Sequence, residues 1–242
     1  HQRFFQYLAA PPRLCSHHAK LCFFFCAAIA ALASTSFDFS ASSTFAFMMG
    51  GVFLVQRFVH RAPLRDLFDT SGRFWGDAAS MGAVAIAVAV IGVLFVTLAI
   101  DTIPNVPLST WLPLLLIALP LVLLQTGAEE VLFRGYIQAQ LGAIVPQPLI
   151  FIILPSAVFA SLHLDPASQG NNAYAFVAAT FLFGLVAGDL TARTGSLGAA
   201  WALHFINNVQ AILIFSTMGP LSGLSLVQLP ISPSDPALLA FV

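Results

Sequence analysis

The stretch from Trp111 to Arg134, WLPLLLIALPLVLLQTGAEEVLFR, decides how this chain folds. From Trp111 to Phe133 it reads as a helix for lipid, close to the length of about 20 apolar residues that a bilayer crossing needs. Yet it carries Glu129 and Glu130 and closes on Arg134. Each charge costs roughly 2.5–3.5 kcal/mol near the middle of a membrane helix, so something other than anchoring must retain all three. Residues four apart share a helix face. Glu130 and Arg134 are therefore predicted to stack as an ion pair, which supports the helix bundle from inside. Glu129 points about 100° away, has no basic residue at helical spacing, and is predicted to face another helix.

The surroundings fit a membrane. Of 242 residues, 59% are hydrophobic and 8% charged, against about 25% charged in soluble domains. A net charge of -1 gives no basic surface for nucleic acid. Cys15, Cys22 and Cys26 are odd in number, lack a second cluster for metal spacing, and read as free thiols.

The predicted fold is all-α, a polytopic transmembrane bundle of about seven or eight spans. Seven apolar runs are legible: Leu21 to Phe37, Phe45 to Val59, Ala78 to Ile100, Trp111 to about Leu141, Leu149 to Leu164, Ala173 to Leu190 and Leu197 to Met218. The chain opens at His1 and closes in an apolar run from Leu238 to Val242, which leaves room for an eighth. Its opening also mimics a signal peptide, but retention as a first span is favoured because the basic lead is long and the apolar run continues through Phe37. The sequence divides into a basic N-terminal segment (1–20), N-terminal spans (21–110), a catalytic core (111–218), and a C-terminal loop with the start of a further span (219–242). Apart from Arg134, basic residues group at Arg3, Arg13 and Lys20, at Arg57, Arg61, Arg65 and Arg73, and at Arg193. In a seven-span alternation all of these fall on one side, which the positive-inside rule makes cytoplasmic.

Two histidines lie in comparably apolar surroundings. With the turn after the fourth span centred near Pro146, Glu129 lies 17 residues before it and His163 lies 17 after, so a straight helical hairpin brings them to one depth. His204 and Asn208, four apart, share a face of the last span. Phe159 and Asn207 are read as packing residues, the latter as a helix-helix hydrogen bonder. A carboxylate, two imidazoles and a carboxamide converging in a water-accessible pocket can carry out hydrolysis. Glu129 takes a proton from water, His163 orients that water or shares the proton, and His204 with Asn208 donates to the oxyanion that forms at the scissile carbonyl. Glu129, His163 and His204 are also a sufficient set for a three-ligand zinc. Water activation without metal is favoured slightly, because the Asn208 NH2 suits an oxyanion donor. There is no HExxH, no serine elbow and no phosphate-binding glycine loop.

Three motifs stand in order: Glu129-Glu130-Val-Leu-Phe-Arg134, Phe159-Ala-Ser-Leu-His163 and His204-Phe-Ile-Asn-Asn208. They resemble the EExxxR, FxxxH and HxxxN motifs of the CPBP family, the CAAX prenyl protease and bacteriocin-processing (ABI) proteins that include the Ras-converting endopeptidases. The resemblance implies an intramembrane endopeptidase with Glu129, His163 and His204 at its centre, Asn208 helping His204, and a site open to the cytoplasm. It also implies a peptide substrate cut near its C-terminus, a prenylated CAAX tail in one branch of the family. Rival readings are a proton- or ion-coupled transporter, since buried Glu, His and Arg also mark ion paths, and an idle scaffold or immunity protein. Against the transporter, no inverted repeat is visible.

Overall fold

The computed structural model describes residues 39–240. The first apolar run, the basic lead and the three cysteines lie outside the described residues. Helix α1 (Phe39–Leu54) continues as a π-helical turn, Val55–Val59. α2 is Phe74–Ala99. α3 (Leu108–Glu130) runs without a break into a π-helical segment, Val131–Gln138, and then α4 (Ala139–Ile144). After a short turn come α5 (Pro148–Ser161), the single turn α6 (Pro166–Gln169), α7 (Ala173–Thr194) and α8 (Gly198–Val209), which ends in a π-helical turn, Gln210–Ile214.

The helix ends follow local chemistry. Pro148 starts α5, where its missing N–H costs nothing, and Gly195 closes α7 in the left-handed conformation at φ 71°. Asp69 caps the entry to α2, with Oδ1 accepting from Ser71 N at 2.8 Å and Gly72 N at 3.0 Å, and Oδ2 from Phe74 N at 3.1 Å. Burial by itself raises the Asp69 carboxyl, but hydrogen bonds from Ser71, Phe74 and Gly72 overcome it and hold the group below its ordinary value. Its stabilisation is thus present above the ordinary carboxylate range and is lost as pH falls through that lowered value.

Three helical stretches are long and apolar enough to cross a membrane, Phe74–Ala99, Leu108–Ile144 and Pro166–Thr194, beside two shorter apolar helices, Ser43–Val59 and Pro148–Ser161. The described residues are thus mostly helical with three helices of spanning length, and they do not confirm seven or eight spans. Along α2, Ile91 is 67% and Leu98 79% exposed. Apolar surface of that extent belongs against acyl chains.

The chain also departs from all-α. The predicted last span, Leu197 to Met218, stays helical only through Ile214. Phe215 turns extended, and Phe215–Thr217 form strand β2. β2 pairs in parallel with β3 (Val227–Leu229), which pairs antiparallel with β1 (Ile103–Pro104), giving the order β1-β3-β2. The tail read as a loop supplies β3. Within this sheet the Ser216 hydroxyl meets that of Ser225 at 2.6 Å.

Two opposite ends result. At one, Thr70 N donates to Gly195 O at 3.1 Å and Leu197 N to Phe68 O at 2.8 Å, which joins the loop before α2 to the loop after α7. Arg61, Arg65, Arg73 and Arg193 gather there. At the other, Asn105 Nδ2 donates to Ser225 O at 2.9 Å and Asn172 Nδ2 to Pro233 O at 2.9 Å, tying the loops after α2 and before α7 to the tail. Between the ends lies a core of Met48, Val52, Ala128, Leu132, Phe133 and Phe159. In a chain whose native cysteines are replaced by serine, single cysteines at Arg65 and Arg193 should label from one face of a sealed vesicle, and one at Ser168 from the other. Labelling of Arg65 and Arg193 from opposite faces would refute this topology.

α8 approaches α2 through Gly198, where a Cβ would strike the Phe74 carbonyl and lie 3.1 Å from Ala78 N. Gly198→Ala should lower the melting temperature by several degrees, from an overpacking cost of about 1–3 kcal/mol at roughly 2–4 °C per kcal/mol. Gly50→Ala, with nothing within 4 Å of the new atom, should instead raise it slightly, because alanine is the better helix former. Thermal unfolding of the two variants in detergent checks the opposite signs.

Candidate functional site

Glu129 and Glu130 are the last residues of α3, and Arg134 stands on the π-helical segment that follows. Single π-helical turns occur often at functional sites, where the wider turn re-aims side chains. The predicted ion pair forms: Arg134 NH1 donates to Glu130 Oε1 at 2.9 Å, with the two side chains 1% and 0% exposed. The guanidinium lies over the Phe159 ring, 4.6 Å from its centroid, a further source of attraction for a desolvated cation.

His204 comes in from α8 and is held between both glutamates. Its Nδ1 meets Glu130 Oε1 at 2.8 Å, and its Nε2 lies 3.5 Å from Glu129 Oε2. The two carboxylates had been expected to face different partners because they stand about 100° apart. Instead they reach the two nitrogens of one imidazole, which bridges the gap. One oxygen, Glu130 Oε1, thus accepts from both Arg134 and His204. Glu130 Oε2 and Arg134 NH2 are buried without a hydrogen-bond partner.

The charges decide what the cluster can do. Two carboxylates against one guanidinium leave a net negative charge in a medium where unbalanced charge is severely penalised. Glu130, already tied to Arg134, accepts from His204 Nδ1, which turns His204 Nε2 toward Glu129 Oε2. An imidazole nitrogen facing a carboxylate is the pairing that general acid–base chemistry uses.

His163 follows α5 directly. Its Nδ1 donates to the Phe159 carbonyl at 2.8 Å, because a carbonyl only accepts, and this leaves Nε2 to point elsewhere. Its ring packs on Phe159 at 4.7 Å. The residue itself is exposed, unlike Glu129 and His204. It borders the buried cluster through Phe159, whose ring also lies 5.9 Å from that of His204, so it stands at the rim of the site. The hairpin register behind that expectation is visible in the rings: Phe133 and Phe159, each 13 residues from Pro146, meet at 5.1 Å.

Asn208 is half-buried one turn beyond His204, and its Oδ1 accepts from Asn207 Nδ2 at 3.3 Å. It makes no described contact with His204. Asn207 is exposed and bonds its neighbour, not another helix. Phe159 had been read as simple packing, yet its ring touches Arg134, His163 and His204, the last at 5.9 Å. Its position at the head of the FxxxH motif, one turn before His163 and facing the hairpin partner, is the available signal.

A three-ligand metal set is a separate matter. Among the described residues, no three His, Cys, Asp or Glu side chains are gathered to hold an ion.

Comparison with known proteins bears out the family resemblance. Residues 109–210 match the sequence model of the Rce1-like type II CAAX prenyl endopeptidases. The match takes in Glu129, Glu130, Arg134, His163, His204 and Asn208. The chain is 28% identical over 167 residues to the uncharacterized protein YyaK of Bacillus subtilis (strain 168), an overlap of 67% of this chain and 56% of that protein. The chain thus spans little more than half the length of that relative. No solved structure matches it.

Glu130→Gln removes the charge that both Arg134 and His204 depend on. It should cost about 3–5 kcal/mol, the range for breaking a buried pair, and lower the melting temperature by roughly 6–20 °C at about 2–4 °C per kcal/mol. Glu129→Gln keeps the side chain's shape, leaves that pair intact, and should shift melting by less than a third as much. Differential scanning fluorimetry of both variants against the parent protein settles the comparison.

Proposed function

We propose that this chain is an intramembrane endopeptidase that hydrolyses a peptide bond near the C-terminus of a protein substrate, with a prenylated CAAX-type tail as the class to test first. The observation that carries the reading is His204 clamped between Glu129 and Glu130, with Arg134 neutralising the glutamate not facing the reaction. The match to the Rce1-like model over the same residues supports it.

Glu129 is the base. Water entering past His163 is oriented by the His163 Nε2 and gives its proton to Glu129, while its oxygen attacks the scissile carbonyl carbon. The oxyanion that forms accepts from His204 Nε2–H and from the Asn208 NH2. Glu130 holds the opposite nitrogen of His204 and so stabilises the imidazolium during this donation. When the tetrahedral species collapses, the C–N bond breaks and the proton on Glu129 passes to the leaving amine. One water is consumed, its OH on the new carboxyl and its hydrogen on the new amine. Metal-independent water activation is part of this proposal.

The arginine end of the bundle is taken as cytoplasmic under the positive-inside rule. Glu129 stands six residues before Gly135, whose backbone lies against the Leu67 carbonyl of the arginine-side loop, and His204 six residues after Gly198, so the acid–base pair sits nearer the arginine end, which supports a cytoplasmic opening.

Purified protein incubated with a panel of prenylated and unprenylated CAAX peptides should release the C-terminal tripeptide from at least one, detected by mass spectrometry. Glu129→Gln should lower turnover by at least the 10²–10⁴-fold ascribed to a general base while remaining folded. Normal turnover in that variant would eliminate the mechanism. Ion flux in proteoliposomes with no cleavage of any peptide would favour a transporter instead.

A further inference from the structure

Gln125 stands one helical turn before Glu129 on the same face of α3, inside an otherwise apolar run. Its Oε1 is buried and has no hydrogen-bond partner among the described residues. A buried carbonyl without a partner carries an uncompensated desolvation cost. In native proteins such a group is normally matched by an ordered water or a ligand.

Its level in the bundle says which. α3 and α8 run antiparallel past the site: Val122 of α3 packs in one cluster with Ile212 and Leu213, and Phe205 and Val209 lie against it. Glu129 is level with His204, whose Nε2 it meets. Moving four residues from Glu129 toward the start of α3 gives Gln125. Moving four residues from His204 toward the end of α8 gives Asn208. The two steps travel in one direction, by about 6 Å each. The two carboxamides therefore occupy one tier, directly adjoining the acid–base pair on the side of the tail end. Asn208 has its Oδ1 occupied by Asn207, which leaves its NH2 to donate. Gln125 has a bare acceptor. One donor and one acceptor in one tier match the two polar groups of a peptide backbone.

We propose that Gln125 and Asn208 form a backbone clamp for the substrate, in which Gln125 Oε1 accepts an N–H adjoining the scissile bond while the Asn208 NH2 serves the scissile carbonyl. The proposal rests on the endopeptidase reading. Gln125 holds no proton in the reaction and is a positioning residue. The clamp recognises the main chain, so it takes peptides of varied side chain and aligns the scissile carbonyl with the water on Glu129.

The test uses the full chain in detergent with a cleaved CAAX-type peptide and its depsipeptide analogues, in which one backbone N–H at a time, outside the scissile amide, is replaced by an ester oxygen. Gln125→Met should lower kcat/KM roughly tenfold, the value of a hydrogen bond of about 1.4 kcal/mol. One ester position should cost the parent enzyme a similar factor and cost Gln125→Met nothing further. Gln125→Glu keeps an acceptor oxygen at the same reach and should retain the parent's sensitivity to that ester, which a merely structural role would not reproduce. If Gln125→Met does not fold, the ester sensitivity of Gln125→Glu against the parent, with Gln125→Leu as the variant lacking the acceptor, carries the same comparison. Parental turnover in the acceptor-less variant, or ester losses that add to its own loss at every position, overturns the clamp. A parent protein that cleaves no peptide overturns the endopeptidase reading, and the clamp falls with it.

Discussion

Glu130 Oε1 accepts two charge-assisted hydrogen bonds in a place with almost no water, and the rest of the site is arranged around that oxygen. Arg134 reaches it from one turn along the same helix at 2.9 Å, and His204 from another helix at 2.8 Å. Burying a guanidinium and a carboxylate together is at best a balance of desolvation against attraction, so the pair is poor evidence for stability in itself. Its effect is on geometry. The partners fix α8 against the end of α3, and the Arg134 cation seats Phe159 beneath it, which fixes α5. Three separate helices are thereby referred to one atom. The structure around Phe159 follows from the same constraint, with Phe183 and His204 at 5.0 Å closing the far side of the imidazole.

Much of this was legible in the sequence, and for reasons of spacing. The Glu130–Arg134 pair needed only helical periodicity. The hairpin register needed only Pro146 and Pro148 to mark the turn, and the contact between Phe133 and Phe159 shows that equal arm lengths do set equal depth. Three apolar runs proved long enough to span. What could not be read were features that depend on more than one helix, or on leaving the helix. Glu129 and Glu130 share a single imidazole because His204 has two nitrogens facing opposite ways, which no angle along α3 contains. The π-helical segment Val131–Gln138 carries no sequence mark beyond its neighbours. The end of the last apolar run was misread because Phe215, Ser216 and Thr217 are as acceptable in a short strand as in a helix end. Their pairing with Val227 to Leu229 is a contact with a tail that composition alone labels as loop.

The shortness of α5 ties these observations to chemistry. Fourteen residues, Pro148–Ser161, rise about 21 Å, well below the roughly 30 Å of a hydrocarbon core. A helix that stops early leaves polar backbone at depth, and such backbone is tolerated only where it is buried in protein or borders water. His163, exposed and immediately beyond the helix end, marks that border. Glu129 lies just behind it, at 9% exposure, and Glu130 one residue further on is fully sealed. The site therefore grades from exposed to sealed across three side chains. The sealed end holds Arg134 and Glu130 out of solvent, and the exposed end is where the proposed reaction would take in its water. A full-length fifth span would close the rim with apolar side chains and leave Glu129 a carboxylate without water. The truncated helix is thus the feature that makes a hydrolytic reading of a membrane-embedded acid–base pair physically consistent.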